Sequence, residues 1–137
     1  MPLPPIQFNP DTTARAMRRV SAALSRLRVQ CPGHEFEIHS KVADALSRDG
    51  IQFRREVPLG DRCRIDFLTQ GGIGIEVKRG KPNSGAVRRQ LERYAARDSV
   101  AGIIIVVDRN IFDVPSELNG KPIEYISLSH LWGIALS

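Results

Sequence analysis

The stretch 64-RIDFLTQGGIGIEVKRG-80 contains three residues whose types and spacing suit chemistry on a charged substrate: Asp66, Glu76 and Lys78. Both carboxylates fall inside apolar runs, where an unpaired charge is strongly disfavoured. The runs flank Gln70-Gly71-Gly72, which predicts a hairpin with a three-residue loop, a glycine in the left-handed position and pairing symmetric about Gly71. In that register Asp66 stands opposite Glu76 on one face, with Cβ atoms about 5 Å apart. Lys78 shares that face, while Ile65, Phe67, Ile75 and Val77 are expected on the other, in the core. Two carboxylates so close repel unless a cation lies between them. Mg²⁺ suits the position, because it takes one or two carboxylates and leaves the rest of its shell to water and substrate phosphate. Lys78 would offer a donor to a developing oxyanion or an attacking water.

The elements that must position these residues are legible on either side. Residues 1–10 read as a Pro-rich irregular arm. A helix with Asp11 or Thr12 as N-cap then runs to the Cys-Pro-Gly at 31–33, its stripe being Met17, Val20, Leu24 and Leu27. A second helix, HEFEIHSKVADALSRDG, presents Ile38, Val42, Ala45 and Leu46 to the core and ends at Gly50 as its C′ residue. Glu35 continues that inner stripe and needs a partner, whereas Glu37, Lys41 and Asp44 face solvent. Strands are predicted over 51–59, 64–68 and 72–78. A third helix follows, burying Val87, Leu91, Tyr94 and Ala95. GIIIVV at 102–107 is apolar throughout, as a parallel strand covered on both faces must be. After a loop through 108–122, IEYISL makes a last strand. The order is αβββαβ plus a terminal strand, a mixed-sheet α/β domain.

At 137 residues the chain is long enough for one domain with a real core. Its 42% hydrophobic and 26% charged content is ordinary for a globular protein. No apolar run reaches the ~20 residues needed to span a bilayer, and MPLPPIQFNP lacks the regions of a signal peptide, so no membrane partner and a cytoplasmic location are expected. Cys31 and Cys63 read as reduced thiols, with too few partners for zinc. The net charge of +5 makes a polyanion a plausible partner, and 16 of the 20 basic residues are Arg, which grips phosphate through a bidentate fork. Arg79, Lys81, Arg88, Arg89 and Arg93 follow the acidic pair in sequence and are read as a phosphate-binding rim. Glu56 is read as an ion-pair partner of Arg54 or Arg64, with a place beside the acidic pair as the alternative. His34 and His39 lack ligand spacing to another histidine and are assigned structural roles, and Trp132 is expected to plug the core edge.

The pattern Asp66, then Glu76-Val77-Lys78 across a strand pair, resembles the PD-(D/E)XK nuclease superfamily. The Glu-x-Lys spacing alone would arise roughly 0.4 times by chance in such a chain; the strand context, shared parity, inward Glu35 and Gln90 on the next helix carry the resemblance. It covers residues 33 to 107, and departs from the family at Ile65, where a proline often stands. It implies a restriction-endonuclease-like αβββαβ core with a central mixed sheet flanked by helices. Here that core would lie in a nuclease-like domain at 33–137, preceded by an arm and basic amphipathic helix at 1–32. It implies hydrolysis of DNA phosphodiester bonds at a Mg²⁺ or Mn²⁺ site held by Asp66, Glu76, the Val77 carbonyl and Glu35. Lys78 would be catalytic, with Gln90 and Tyr94 near the substrate phosphate. The small size and basic charge look like Holliday-junction-resolvase-like or recombination and repair nucleases. Such enzymes act as homodimers, and the N-terminal helix or the 108–122 loop would supply the interface. A defence or RNA-directed nuclease shares the same core, and a catalytically silent nucleic-acid-binding module is the reading from another class.

Overall fold

The computed structural model describes residues 9–28, 35–60, 62–80, 83–108 and 114–128. The first helix, α1 (Pro10–Leu24), is capped by Asn9, whose side-chain oxygen accepts the Thr12 amide at 2.8 Å. Pro10 takes the first helical position, where no amide is needed, so the helix starts earlier than the expected cap at Asp11 or Thr12. It also stops early. The Ser25 hydroxyl turns back to the Ala22 carbonyl at 2.8 Å, and the Leu27 amide closes a tight turn on Leu24 at 3.1 Å. Helix α2 (Glu35–Arg48) buries the predicted Ile38, Val42, Ala45 and Leu46, and Gly50 follows at φ 70.

Among the described residues six strands follow the order β1-β2-β3-β4-β6-β5: β1 (Phe53–Gly60), β2 (Cys63–Thr69), β3 (Ile73–Lys78), β4 (Gly102–Val107), β5 (Glu117–Leu118) and β6 (Lys121–Ser127). The first three pair antiparallel, while β3, β4 and β6 run parallel. With α3 (Ser84–Ala95) linking β3 to β4, the described residues form an α/β fold of three helices on a mixed sheet. Strand β5 lies where only a loop was expected; two residues are too few to carry a strand periodicity.

Every residue of β4 is buried because both its faces are covered. Ile104 and Val106 join Met17, Val20, Leu24, Ile38 and Val42 under α1 and α2. Ile103, Ile105 and Val107 join Val87, Leu91 and Tyr94 under α3. The stripe of α1 thus belongs to the same core as α2 and the sheet. At the start of β4, a Cβ on Gly102 would lie 2.9 Å from Met17 Sδ and 3.3 Å from the Pro122 carbonyl oxygen. Gly102→Ala is expected to destabilise the fold by about 1–3 kcal/mol through overpacking. An unchanged thermal midpoint would mean that α1 gives way freely. Among the described residues, no helix is long and apolar enough to cross a membrane.

One feature of the hairpin departs from simple alternation. Ile65 and Phe67 were expected on one face, yet Phe67 packs under α1 and α2 while Ile65 packs with Val57, Leu59 and Cys63 under α3. The switch falls between the paired positions Arg55↔Phe67 and Val57↔Ile65, where Glu56 takes a φ of 50. The far end of the β1–β2 hairpin therefore crosses over β3. Gly74 makes room for it, since a Cβ there would meet Ile65 Cδ1 at 2.4 Å. Left-handed backbone at a non-glycine residue is uncommon, so period-two reasoning does not anticipate the crossing.

Candidate active site

Asp66 sits at that crossing. The β2–β3 register, Phe67↔Ile75 and Leu68↔Gly74, is symmetric about Gly71 as predicted, and Gly72 turns at φ 83 with its amide 3.0 Å from the Thr69 carbonyl. Past Phe67 the side chains take over the pairing. The Asp66 amide donates to Glu76 Oε1 at 3.2 Å, and the Val77 amide donates to Asp66 Oδ2 at 2.8 Å. Each carboxylate thus accepts an amide from the opposite strand, which locks the two against each other. In an extended strand a residue's N–H and C=O point to the same neighbour, so the Val77 carbonyl shares the β2-facing side.

Glu76 is 5% exposed, and its second oxygen meets Lys78 Nζ at 3.2 Å and the Tyr94 hydroxyl at 3.0 Å. Burial first, and the charge of Asp66 second, push its carboxyl up to about 7 despite Lys78. Asp66 is raised as well, chiefly by burial, with the Val77 amide and His39 opposing. Such costs persist only where the surrounding structure, or a function, requires them.

Tyr94 is buried as expected: it is 1% exposed and its ring belongs to the core under α3, so any part it takes near a substrate phosphate passes through its hydroxyl. Its hydroxyl lies 2.8 Å from the Arg64 carbonyl and receives Gln90 Nε2 at 2.8 Å. One phenolic proton serves either Arg64 or Glu76 at a time. Burial, then the charge of Glu76, hold the phenol well above its usual range, so it stays a neutral donor. Gln90 is on the inner side of α3 as predicted, but it reaches Tyr94, not Glu76. Tyr94 and Gln90 therefore brace Glu76 from behind.

His39, read from sequence as structural, comes to the site. Its Nε2 lies 3.6 Å from Asp66 Oδ2 and its ring centre 5.5 Å from that of Phe67. His39, Glu56 and Asp66 each offer a ligand atom within 4.8 Å of the others. A search for a second histidine misses such a set, because its partners are carboxylates on distant strands. Glu56 satisfies both of its readings: it is in this group and lies 4.0 Å from Arg64. Asp108 was not singled out. It is 4% exposed, its Oδ1 accepts the Gly80 amide at 2.9 Å, and its own amide reaches the Lys78 carbonyl at 3.3 Å. It fastens the chain just past Lys78. Its signal was its place after GIIIVV, at the carboxyl end of a central parallel strand where open α/β sheets take ligands.

Position 35 opens α2 one turn before His39, but the Glu35 side chain lies outside the described residues, as do Lys81, Cys31, His34 and Trp132. Of the predicted rim, Arg79, Arg88, Arg89 and Arg93 are exposed, and Arg88 is paired with Glu92 at 3.1 Å. Cys63 is a buried free thiol. No family model, curated protein or solved structure matches this chain.

Proposed function

We propose that this protein is a metal-dependent nuclease that hydrolyses phosphodiester bonds in DNA. The observation that carries the reading is the locked pair Asp66 and Glu76, both with raised carboxyls, beside the ammonium of Lys78. The αβββαβ succession from α2 to β4 supports the same reading. The donors fit Mg²⁺ or Mn²⁺: hard carboxylate oxygens from Asp66 and Glu76 and the β2-facing carbonyl of Val77, with Glu56 and His39 each offering a further ligand atom near Asp66. When bound there, such an ion polarises a phosphoryl oxygen and lowers the pKa of a coordinated water.

The chain's own groups have separable tasks. Asp66 and Glu76 hold the cation and orient it. Lys78 neutralises charge that builds on the phosphoryl oxygens or steadies the attacking water, being half-buried and tethered to Glu76. Tyr94 and Gln90 keep the Glu76 carboxylate in place, and the exposed arginines attract the backbone. A finer reading, branched DNA such as a four-way junction cut by a homodimer, rests on the sequence resemblance.

A cleavage assay with Mg²⁺ and with Mn²⁺ tests this on a four-way junction, a flap, linear duplex, single-stranded DNA and RNA. Lys78→Ala is expected to slow cleavage by about 10²–10³-fold while metal and DNA binding persist. Paired symmetric nicks in the junction select the branched-DNA reading, and cutting of RNA alone moves the substrate. The absence of metal-dependent cutting on every substrate rejects the nuclease.

A further inference from the structure

Arg54 and Arg55 are consecutive, exposed residues on β1, the edge strand of the sheet, and they face opposite sides of it. Arg54 lines a shallow groove with Leu68, Gln70 and Ser99. Arg55 instead crosses to its paired residue on β2, its Cζ 5.4 Å from the centre of the Phe67 ring. The same ring carries His39, whose Nε2 is 3.6 Å from Asp66 Oδ2. One buried aromatic ring thus contacts both Arg55, which precedes Glu56 in the chain, and His39, the neighbour of Asp66. Arg55 shares the side of Phe53 by alternation, and the left-handed residue Glu56 carries the strand to the other face immediately after it, where Val57 packs under α3.

Among the described residues Arg55 has no carboxylate partner, whereas Arg64 leans on Glu56 at 4.0 Å and Arg88 on Glu92 at 3.1 Å. An exposed guanidinium held near an aromatic ring can still present its N–H fork, which matches two oxygens of a phosphate. Lysine offers no equivalent planar fork. Among the described residues the outer side of β1 has no paired strand, which suits an approaching strand of nucleic acid.

We propose that Arg55 grips a backbone phosphate of the bound nucleic-acid strand next to Asp66, so that the substrate crosses the site over the β1 edge. This rests on the nuclease reading and names a contact that the rim on α3 does not provide. Arg55 is a positioning residue: it fixes the strand, and the carboxylates and Lys78 act on it.

The test compares wild type, Arg55→Ala, Arg55→Lys and Arg54→Ala. Fluorescence anisotropy on labelled single-stranded DNA, duplex DNA and RNA, in EDTA over a range of salt, reads binding; Mn²⁺ then starts cleavage. Arg55→Ala is expected to weaken binding about tenfold. It should also reduce the slope of log affinity against log salt by about 0.7 on single strands or 0.9 on duplex. Arg55→Lys should keep the slope and still lose cleavage rate, because the charge remains without the fork. Arg54→Ala, equal in charge and exposure, should change binding less than twofold. Equal losses in Arg54→Ala and Arg55→Ala would reveal diffuse attraction and overturn the proposal. So would an unchanged salt slope in Arg55→Ala beside a wild type that binds and cuts. A wild type that neither binds nor cuts any of the three, nor the four-way junction and flap of the cleavage assay, overturns the nuclease reading and this contact together, and is told apart by that first lane.

Discussion

Glu76→Gln is expected to remove metal-dependent cleavage by about 10³-fold or more while making the metal-free protein more stable at neutral pH. The two effects have one cause. Glu76 is buried, faces Asp66 across the strand pair, and has its carboxyl raised from an ordinary 4.5 to about 7. A carboxyl raised on folding binds more protons in the native state than in the unfolded one between those two values. Stability is therefore greatest below about 4.5, falls as pH rises toward about 7, and then levels off. The loss should be about 2–3 kcal/mol for a side chain so little exposed. The raised carboxyl of Asp66 adds a contribution of the same sign. Glutamine keeps the shape, carries no charge, and flattens the part of the slope that Glu76 contributes. Mg²⁺ or Mn²⁺ should stabilise the wild type at pH 7.5 and leave Glu76→Gln nearly unmoved. Thermal melts from pH 4 to 8, with and without metal, check this. A variant that cuts at the wild-type rate would place the chemistry elsewhere, and a wild-type stability that falls no more steeply from pH 5 to 7 than that of Glu76→Gln would contradict the electrostatics.

Tyr94→Phe is the second large effect, and it separates packing from function. Phenylalanine keeps the ring in the core under α3, so little apolar contact is lost. The hydroxyl, however, meets the Arg64 carbonyl, Gln90 and Glu76, all within 3.0 Å. Losing it strands buried polar groups at a cost of about 1–3 kcal/mol. Tyr94→Ala also opens a cavity and should cost about 3–5 kcal/mol. The Tyr94 hydrogen bond lowers the Glu76 carboxyl, so Tyr94→Phe should move the pH-dependent fall in stability to higher pH. Cleavage should drop by about 10–100-fold, as when a partner that orients a metal ligand is lost. If Tyr94→Phe loses stability but keeps both its pH profile and its rate, the hydroxyl is a structural pin alone.

The distribution of arginines gives these effects a setting. Sequence order points to the group after Lys78, and the structure indeed leaves Arg79, Arg89 and Arg93 exposed. It also sets Arg64 4.0 Å from Glu56 and Arg55 over the Phe67 ring, both on the β1–β2 hairpin.

What the sequence by itself determined was local. Gln70-Gly71-Gly72 set the turn and hence the β2–β3 register, because a glycine tolerates the left-handed backbone such a loop requires. Helical spacing named the buried faces of all three helices, and the unbroken run GIIIVV identified the central parallel strand. Those rules act over a few residues, and they sufficed to join Asp66, Glu76 and Lys78. Only the tertiary structure decided what surrounds them. The crossing at Glu56 separated Ile65 from Phe67, and packing set His39 and Arg55 against the Phe67 ring. Packing of α3 put the Tyr94 hydroxyl on Glu76 and away from solvent, and the parallel pairing of β3 with β4 set Asp108 beside Lys78. Each of these contacts joins elements far apart in the chain. Their geometry follows from how layers fill the space on either side of the sheet, and no periodicity within a single segment encodes that.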